Sequence, residues 1–239
     1  MKIHQYLRLV VLMPMLTIGL LLPKLVFAES VVFSGIEGSS YSTHAYLGFI
    51  TPQGGDRLGD GWYRKFVGSS TTYVYQNSER GPIVDIDGKL NGIDAGMGRG
   101  WRFDNSSLDL SATVGYREVR LSPYAPSSDK AGNRFTFNPQ LMLWRKLGRG
   151  VDTDLIANYA TGTSSSFVRA RIGMHPSEIY RVGIEAKWLD GRNYRVKKNG
   201  LFVALKFSEK LTLEVNAGRE APDDRNASTY AGIAIATTF

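Results

Sequence analysis

The chain contains no cysteine, so disulfides, thiolate-held metals and a cysteine nucleophile are all excluded. A chain of 239 residues must then keep its fold by non-covalent packing alone. Histidine is scarce too: beyond His4 there are only His44 and His175. No amphipathic helical period follows the first 28 residues. There is also no block of like charge. Lys and Arg are interleaved with Asp and Glu throughout, which suits a paired lattice and argues against a nucleic-acid surface. No linker or low-complexity stretch divides the chain, and its 26 glycines are spread without a collagen-like period, so one domain is expected.

A long hydrophobic run occurs once. MKIHQYLR supplies Lys2 and Arg8, and LVVLMPMLTIGLLLPKLVFA is almost continuously apolar, closing on Val26-Phe27-Ala28. This is the charged, greasy and small-residue order of a secretory signal peptide, with cleavage expected before Glu29. Pro14, Pro23 and Lys24 make the run a poor spanning helix, which counts against a retained inner-membrane anchor. Removing residues 1–28 takes three cations and no acid from the formal +7, leaving +4.

What fills the remainder is period-two alternation broken by Gly, Asn, Asp and Ser clusters. In SLDLSATVGYREV, Leu108, Leu110, Ala112, Val114 and Tyr116 share one face, and Asp109, Ser111, Thr113 and Arg117 the other. IYRVGIEAKW, LTLEVNAGRE and SFVRARIGM repeat the pattern. Alternation alone does not say which face is the core. A soluble sandwich or lipocalin turns the apolar face in, whereas an outer-membrane barrel turns it to lipid. Aromatics at both ends of the stripes, such as Tyr180 and Trp188, fit interfacial girdles. Segments such as Trp62–Asn77 and Ser107–Leu121 exceed ordinary soluble strands. Connections alternate between short ones, such as LGRG, and longer ones, such as SPYAPSSDKAG.

These features predict an all-β, antiparallel transmembrane barrel over residues 29–239, with about twelve strands. The first two segments, Val31–Gly38 and Ser42–Ile50, are short, so ten strands is the alternative. TPQGGDRLGDG breaks the loop alternation by being long on the short-turn side. The closing STYAGIAIATTF places Ala231, Ile233, Ile235, Thr237 and Phe239 on one face. A terminal aromatic on an alternating strand is the mark that barrel-assembly machinery reads, although Thr237 departs from the bulkier residue usual there.

Laid out in this order, the sequence resembles the cellulose-biosynthesis BcsS family of Gram-negative bacteria. The resemblance is carried by FSGIEGSSYSTHAYLGFI, GWYRKFV, DIDGKLNGIDAGMG, DLSATVGYREVRLSP, SSSFVRARIGMH, RVGIEAKWLDGRNYR and the closing strand. It implies a non-enzymatic outer-membrane component accompanying a cellulose synthase system, with outer-membrane lipid and either glucan or export machinery as the implied partners. It brings no catalytic residues and no cofactor. A small channel for polar or anionic solutes is the second expectation, and a lipid-modifying barrel enzyme the third.

Chemistry-bearing residues are sparse. Ser42 and His44 share a strand face and are the one candidate nucleophile–base pair, set against a bland reading as polar strand-end residues. His175, before Pro176, reads as a turn residue. Asp85 with Asp87, and Asp223 with Asp224, are loop carboxylates without EF-hand spacing, so no metal site is expected. The stronger constellation is a lumen charge lattice. Alternation puts Asp109, Arg117, Asp152, Asp154, Arg169, Arg171, Arg181, Glu185, Lys187 and Glu214 on polar faces, able to pair across strands and stiffen the interior or to filter a solute. Trp144, Phe167 and Phe202 fall on the same inward face, where they could stack on sugar rings or simply fill space.

Overall fold

The runs of alternation form twelve strands of one closed antiparallel sheet. The structure, a computed structural model, describes residues 29–54, 57–77, 84–123, 131–191 and 194–239. The expected signal segment and most of the SERGPI and PYAPSSDK connections lie outside the described residues. The strands are β1 (Val31–Ser39), β2 (Ser42–Pro52), β3 (Gly61–Asn77), β4 (Val84–Phe103), β5 (Ser106–Ser122) and β6 (Gly132–Gly148). They continue as β7 (Val151–Ala160), β8 (Ser165–Met174), β9 (Tyr180–Gly191), β10 (Tyr194–Ser208), β11 (Leu211–Pro222) and β12 (Ser228–Thr238).

Each strand pairs with its sequence neighbours, and β1 closes the ring on β12 with Val31 opposite Thr238. Closure leaves no edge whose backbone groups would go unpaired in hydrocarbon. The ten-strand alternative falls here: β1 pairs along its length with both β12 and β2. Its 9 residues suffice, because a tilted strand crosses a bilayer in about 9–11.

The two ends of the barrel differ. At the turn end, two residues join β4 to β5, β6 to β7 and β10 to β11. Gly148 and Gly150 adopt φ of 130° and 77° around the β6–β7 hairpin, backbone that a side chain would strain. At the loop end the 17–20-residue strands β3 to β6 project beyond the 10-residue β7 and β8. The β1–β2 connection is only Ser40 and Tyr41. The β11–β12 loop reaches over it: Asp224 accepts the Gln76 N–H at 3.2 Å, Arg225 pairs with Asp85 at 2.8 Å, and its guanidinium lies over Tyr41.

Register decides which face each side chain takes, and the outward face is the greasy one. Ile93, Val114 and Leu201 point outward and are 67%, 66% and 65% exposed. In water such a band would be costly; in hydrocarbon it is the solvated state. Aromatics border it on both sides. Trp62, Trp101, Tyr180 and Phe207 ring the turn end, with Arg99 over both tryptophan rings. Tyr116, Phe135, Tyr159 and Trp188 ring the loop end. Phe239 donates its N–H to the Ser30 carbonyl at 2.9 Å.

The inward face is shaped by rings lying on cross-strand glycines. Tyr46 covers Gly35, Phe33 covers Gly48, Tyr63 covers Gly98 and Phe202 covers Gly183, each so closely that an added Cβ would overlap the ring. Flat rings against a bare backbone fill the pleat without blocking strand pairing.

The ion-paired lumen as candidate functional site

Alternation puts Asp152 and Asp154 of β7, Arg169 and Arg171 of β8, and Arg181, Glu185 and Lys187 of β9 on the inward face, in cross-strand register. Asp152, nearest the turn end, accepts from Arg181 at 2.7 and 2.9 Å, from His175 Nε2 at 2.8 Å and from Trp144 Nε1 at 3.1 Å. Arg181 also reaches Asp154 at 2.6 Å, which Arg169 approaches at 3.4 Å. Further in, Arg171 makes a two-pronged bond to Glu214 at 2.6 and 2.7 Å and a second pair with Glu185 at 2.7 Å. The planar guanidinium suits this double duty, since its N–H groups fork toward two carboxylates.

From Glu185 the network runs toward the loop end. Lys187 bridges Glu185 and Glu37, Lys198 bridges Glu37 and Glu220, and Ser39 donates to Glu220 at 2.8 Å. Tyr230 donates its hydroxyl to Glu185 at 2.9 Å, and Lys187 and Lys198 lie over its ring. Phe202 joins the two halves: Arg171 and Arg181 lie 4.5 and 4.8 Å from its ring centre. The result links β1 with β7 through β12 by charged contacts. Asp152, Arg171, Glu185 and Lys187 are each under 5% exposed, so these pairs act where water screens them little.

The facing wall, β2 to β6, is chemically different. Arg117 holds both oxygens of Asp94 at 2.7 and 2.9 Å, and Asn138 donates to Asp94 at 2.6 Å. Asp109 is held by the Tyr63 hydroxyl instead of an arginine, and Lys65 donates to Gln140 at 2.8 Å. Met142, Trp144 and Lys146 of β6 point inward yet are exposed, as is His44 of β2.

Of the three aromatic candidates, Phe202 is 1% exposed beneath two guanidiniums, leaving no open ring face for a sugar. Phe167 is half-buried, and Trp144 stays accessible while bonded to Asp152. Ser42 and His44 are not brought together as a nucleophile and base. Ser42 Oγ lies 3.3 Å from Ser39 Oγ, and His44 Nδ1 lies 2.8 Å from Thr71 Oγ1. Asp85 and Asp87, expected in a loop, lie in β4, where pairing with β3 extends as far as Val84; Asp85 pairs with Arg225, and the loop residue Asp223 lies 3.9 Å from Arg195.

Sequence reasoning missed Glu37, Lys198, Glu220, Asp94 and Lys65. Glu37 was readable, because FSGIEGS alternates and places it opposite Gly232 on the inward face. Lys198 was hidden by Lys197 beside it, since only register tells which of two neighbours faces in. Glu220 closes the alternating run LTLEVNAGRE on the same face as Glu214, and β11 continues past it to Pro222.

A closed ring, an apolar outer band between aromatic belts and an ionic interior define a small transmembrane β-barrel of the outer-membrane type. The chain belongs to the cellulose biosynthesis protein BcsS family, whose model matches residues 31–239. Solved structures share the architecture at low sequence identity. An outer-membrane channel from Pseudomonas putida F1 has TM-score 0.56 and 13% identity, covering 90% of this chain and 97% of its own. The KdgM porin has TM-score 0.50 and 10% identity, covering 87% and 99%. LpxR from Salmonella typhimurium has TM-score 0.51 and 10% identity, covering 88% and 100%. These likenesses concern the fold alone. A sequence comparison with curated proteins gives no match.

Proposed function

We propose that this chain is a non-enzymatic outer-membrane accessory of bacterial cellulose biosynthesis or export, working as a scaffold. On this reading residues 1–28 direct export and are removed, the turn end faces the periplasm, and the loop end faces outward. The outer band contacts lipid, while the projecting β3–β6 end and the SPYAPSSDKAG connection meet glucan or export proteins. The observation that carries the reading is the ionic network through β1 and β7 to β12. Its inner section sets Arg171, Lys187 and Lys198 against Glu37, Glu185, Glu214 and Glu220, which is three cations to four carboxylates. Charges so nearly balanced satisfy one another and leave little field to select an ion, so they suit a stiff, filled interior.

Deleting the gene and staining for surface cellulose tests the role: reduced or altered cellulose is expected, and unchanged amount and texture would overturn it. The second reading, a small solute channel, is favoured by Met142 and Trp144, which face inward and are 38% and 37% exposed. Planar-bilayer recording separates the two. The scaffold predicts no steady conductance from the folded barrel, whereas reproducible single-channel steps would favour the channel.

A further inference from the structure

The lipid-facing wall is not uniformly convex. Between Leu47 and Phe66 on one flank and Ile93, Val114 and Phe135 on the other, it opens into an apolar groove of about 580 Å³. The floor is low because Gly68 and Ala95 present almost nothing there; a Cβ added at Gly68 would meet no atom within 4 Å. Toward the loop end the outward rows change character abruptly. The row after Gly68, Ile93 and Tyr116 is Ser70, Asn91 and Glu118, and the next is Thr72, Lys89 and Arg120.

The upper rows are held in place. Ser70 Oγ donates to Asn91 Oδ1 at 2.9 Å, and Asn91 Nδ2 lies 3.5 Å from Glu118 Oε2. Arg120 donates Nε and Nη2 to Glu118 Oε1 at 2.9 and 2.6 Å. Above the apolar band, Glu118 thus engages one guanidinium edge of Arg120. The other edge, carrying Nη1, is unengaged by that pair. Lys89 makes no ion pair among the described residues, and both cations are exposed.

We propose that this groove is a lipid-binding site, taking one acyl chain of an outer-leaflet lipid whose phosphate rests on Lys89 and the open edge of Arg120. The inference rests on the apolar band being membrane-embedded. Lys89 stands four residues beyond Ile93, about 13 Å along the strand at roughly 3.3 Å per residue, so the cations sit above the groove at headgroup level. An empty groove facing acyl chains would forfeit dispersion contacts that a seated chain restores. Apolar below and cationic above on one side of the barrel is the polarity of a single phosphorylated amphiphile. A second copy of the chain packed in the same way would bring its own Lys89 and Arg120 against this cationic row.

The test uses the full mature chain, folded in a neutral detergent and analysed by native mass spectrometry with phosphatidylglycerol or phosphatidylcholine as probe. Two surface cations favour the anionic headgroup, so phosphatidylglycerol should be retained about tenfold over phosphatidylcholine. Gly68→Leu should fill the groove and lower retention of both lipids. Lys89→Gln should lower phosphatidylglycerol retention severalfold, leaving the remainder of the preference to Arg120, with phosphatidylcholine retention unchanged. Each variant is first checked for the heat-modifiable gel mobility of a folded barrel; if Gly68→Leu does not fold, the Lys89→Gln comparison decides. Equal retention of the two lipids by the unaltered chain, or unchanged phosphatidylglycerol retention in either folded variant, overturns the site. A chain that inserts into vesicles without lipid preference loses only the groove, whereas one that fails to insert loses the membrane reading as well.

Discussion

Arg171 touches two carboxylates and one aromatic face while only 2% of it meets solvent. A charge in that position depends on its partners, because removing one member of a buried pair strands the other. Arg171→Met should therefore destabilise the barrel by about 3–5 kcal/mol, taking from Glu214 its two-pronged partner and leaving Glu185 to Lys187 and Tyr230 alone. The shift in the urea midpoint of reversible folding into detergent or vesicles measures it. Arg195 is the control. Its contacts with Asp190 at 3.6 Å and Asp223 at 3.9 Å are exposed, so Arg195→Gln should cost less than about 1 kcal/mol. Equal effects from the two variants would mean that water reaches the interior network and screens it.

Strand pairing on the inward face depends on ring against glycine. Tyr63 occupies the space where a side chain at Gly98 would go, and its hydroxyl meets Asp109 on the strand beyond. Gly98→Val should push that ring aside, break the bond to Asp109 and cost about 1–3 kcal/mol, as overpacking does. Adding Tyr63→Ala should recover part of the loss, because the new methyl groups then have room. Folded fraction by heat-modifiable mobility follows both steps. A double variant no better than Gly98→Val alone would show that the glycine is needed for backbone geometry and not for the ring.

For the whole molecule, the decisive property is which face meets hydrocarbon. Val114 lies in the apolar band, one outward position from the Tyr116 belt and 66% exposed, whereas its neighbour Thr113 faces in and bonds Asn138 at 3.2 Å. Arginine on a barrel's lipid face costs about 2–4 kcal/mol at the bilayer midplane and less toward the interfaces, so Val114→Arg should lower stability by about 1–3 kcal/mol in vesicles. Measured in vesicles of decreasing acyl length, the penalty should shrink as the midplane thins. A neutral Val114→Arg would place that face in water. The mature chain should likewise need detergent to stay monomeric, and free solubility without it would remove the barrel's orientation and its proposed location together.

The alternation itself determined a great deal. Period two over SLDLSATVGYREV, IYRVGIEAKW and SFVRARIGM was enough to lay out the strands and to sort Arg171, Arg181, Glu185 and Lys187 from Ile172, Val182, Ile184 and Trp188, while strand length, end aromatics and the alternation of short and long connections chose a barrel. It could do this because strand geometry is local: successive side chains point to opposite faces whatever lies beyond. Partner choice is not local. That Asp109 would bond Tyr63 and not an arginine, that Glu37 would reach Lys187 and Lys198, and that Arg171 and Arg181 would close over Phe202 all depend on closure of the ring and on register between distant strands. The short β1 and β2 were undecidable for the same reason, since their membership is settled by pairing with β12, far away in the chain. The groove at Gly68 is a tertiary feature too, made when one missing side chain falls between the bulky neighbours of four other strands.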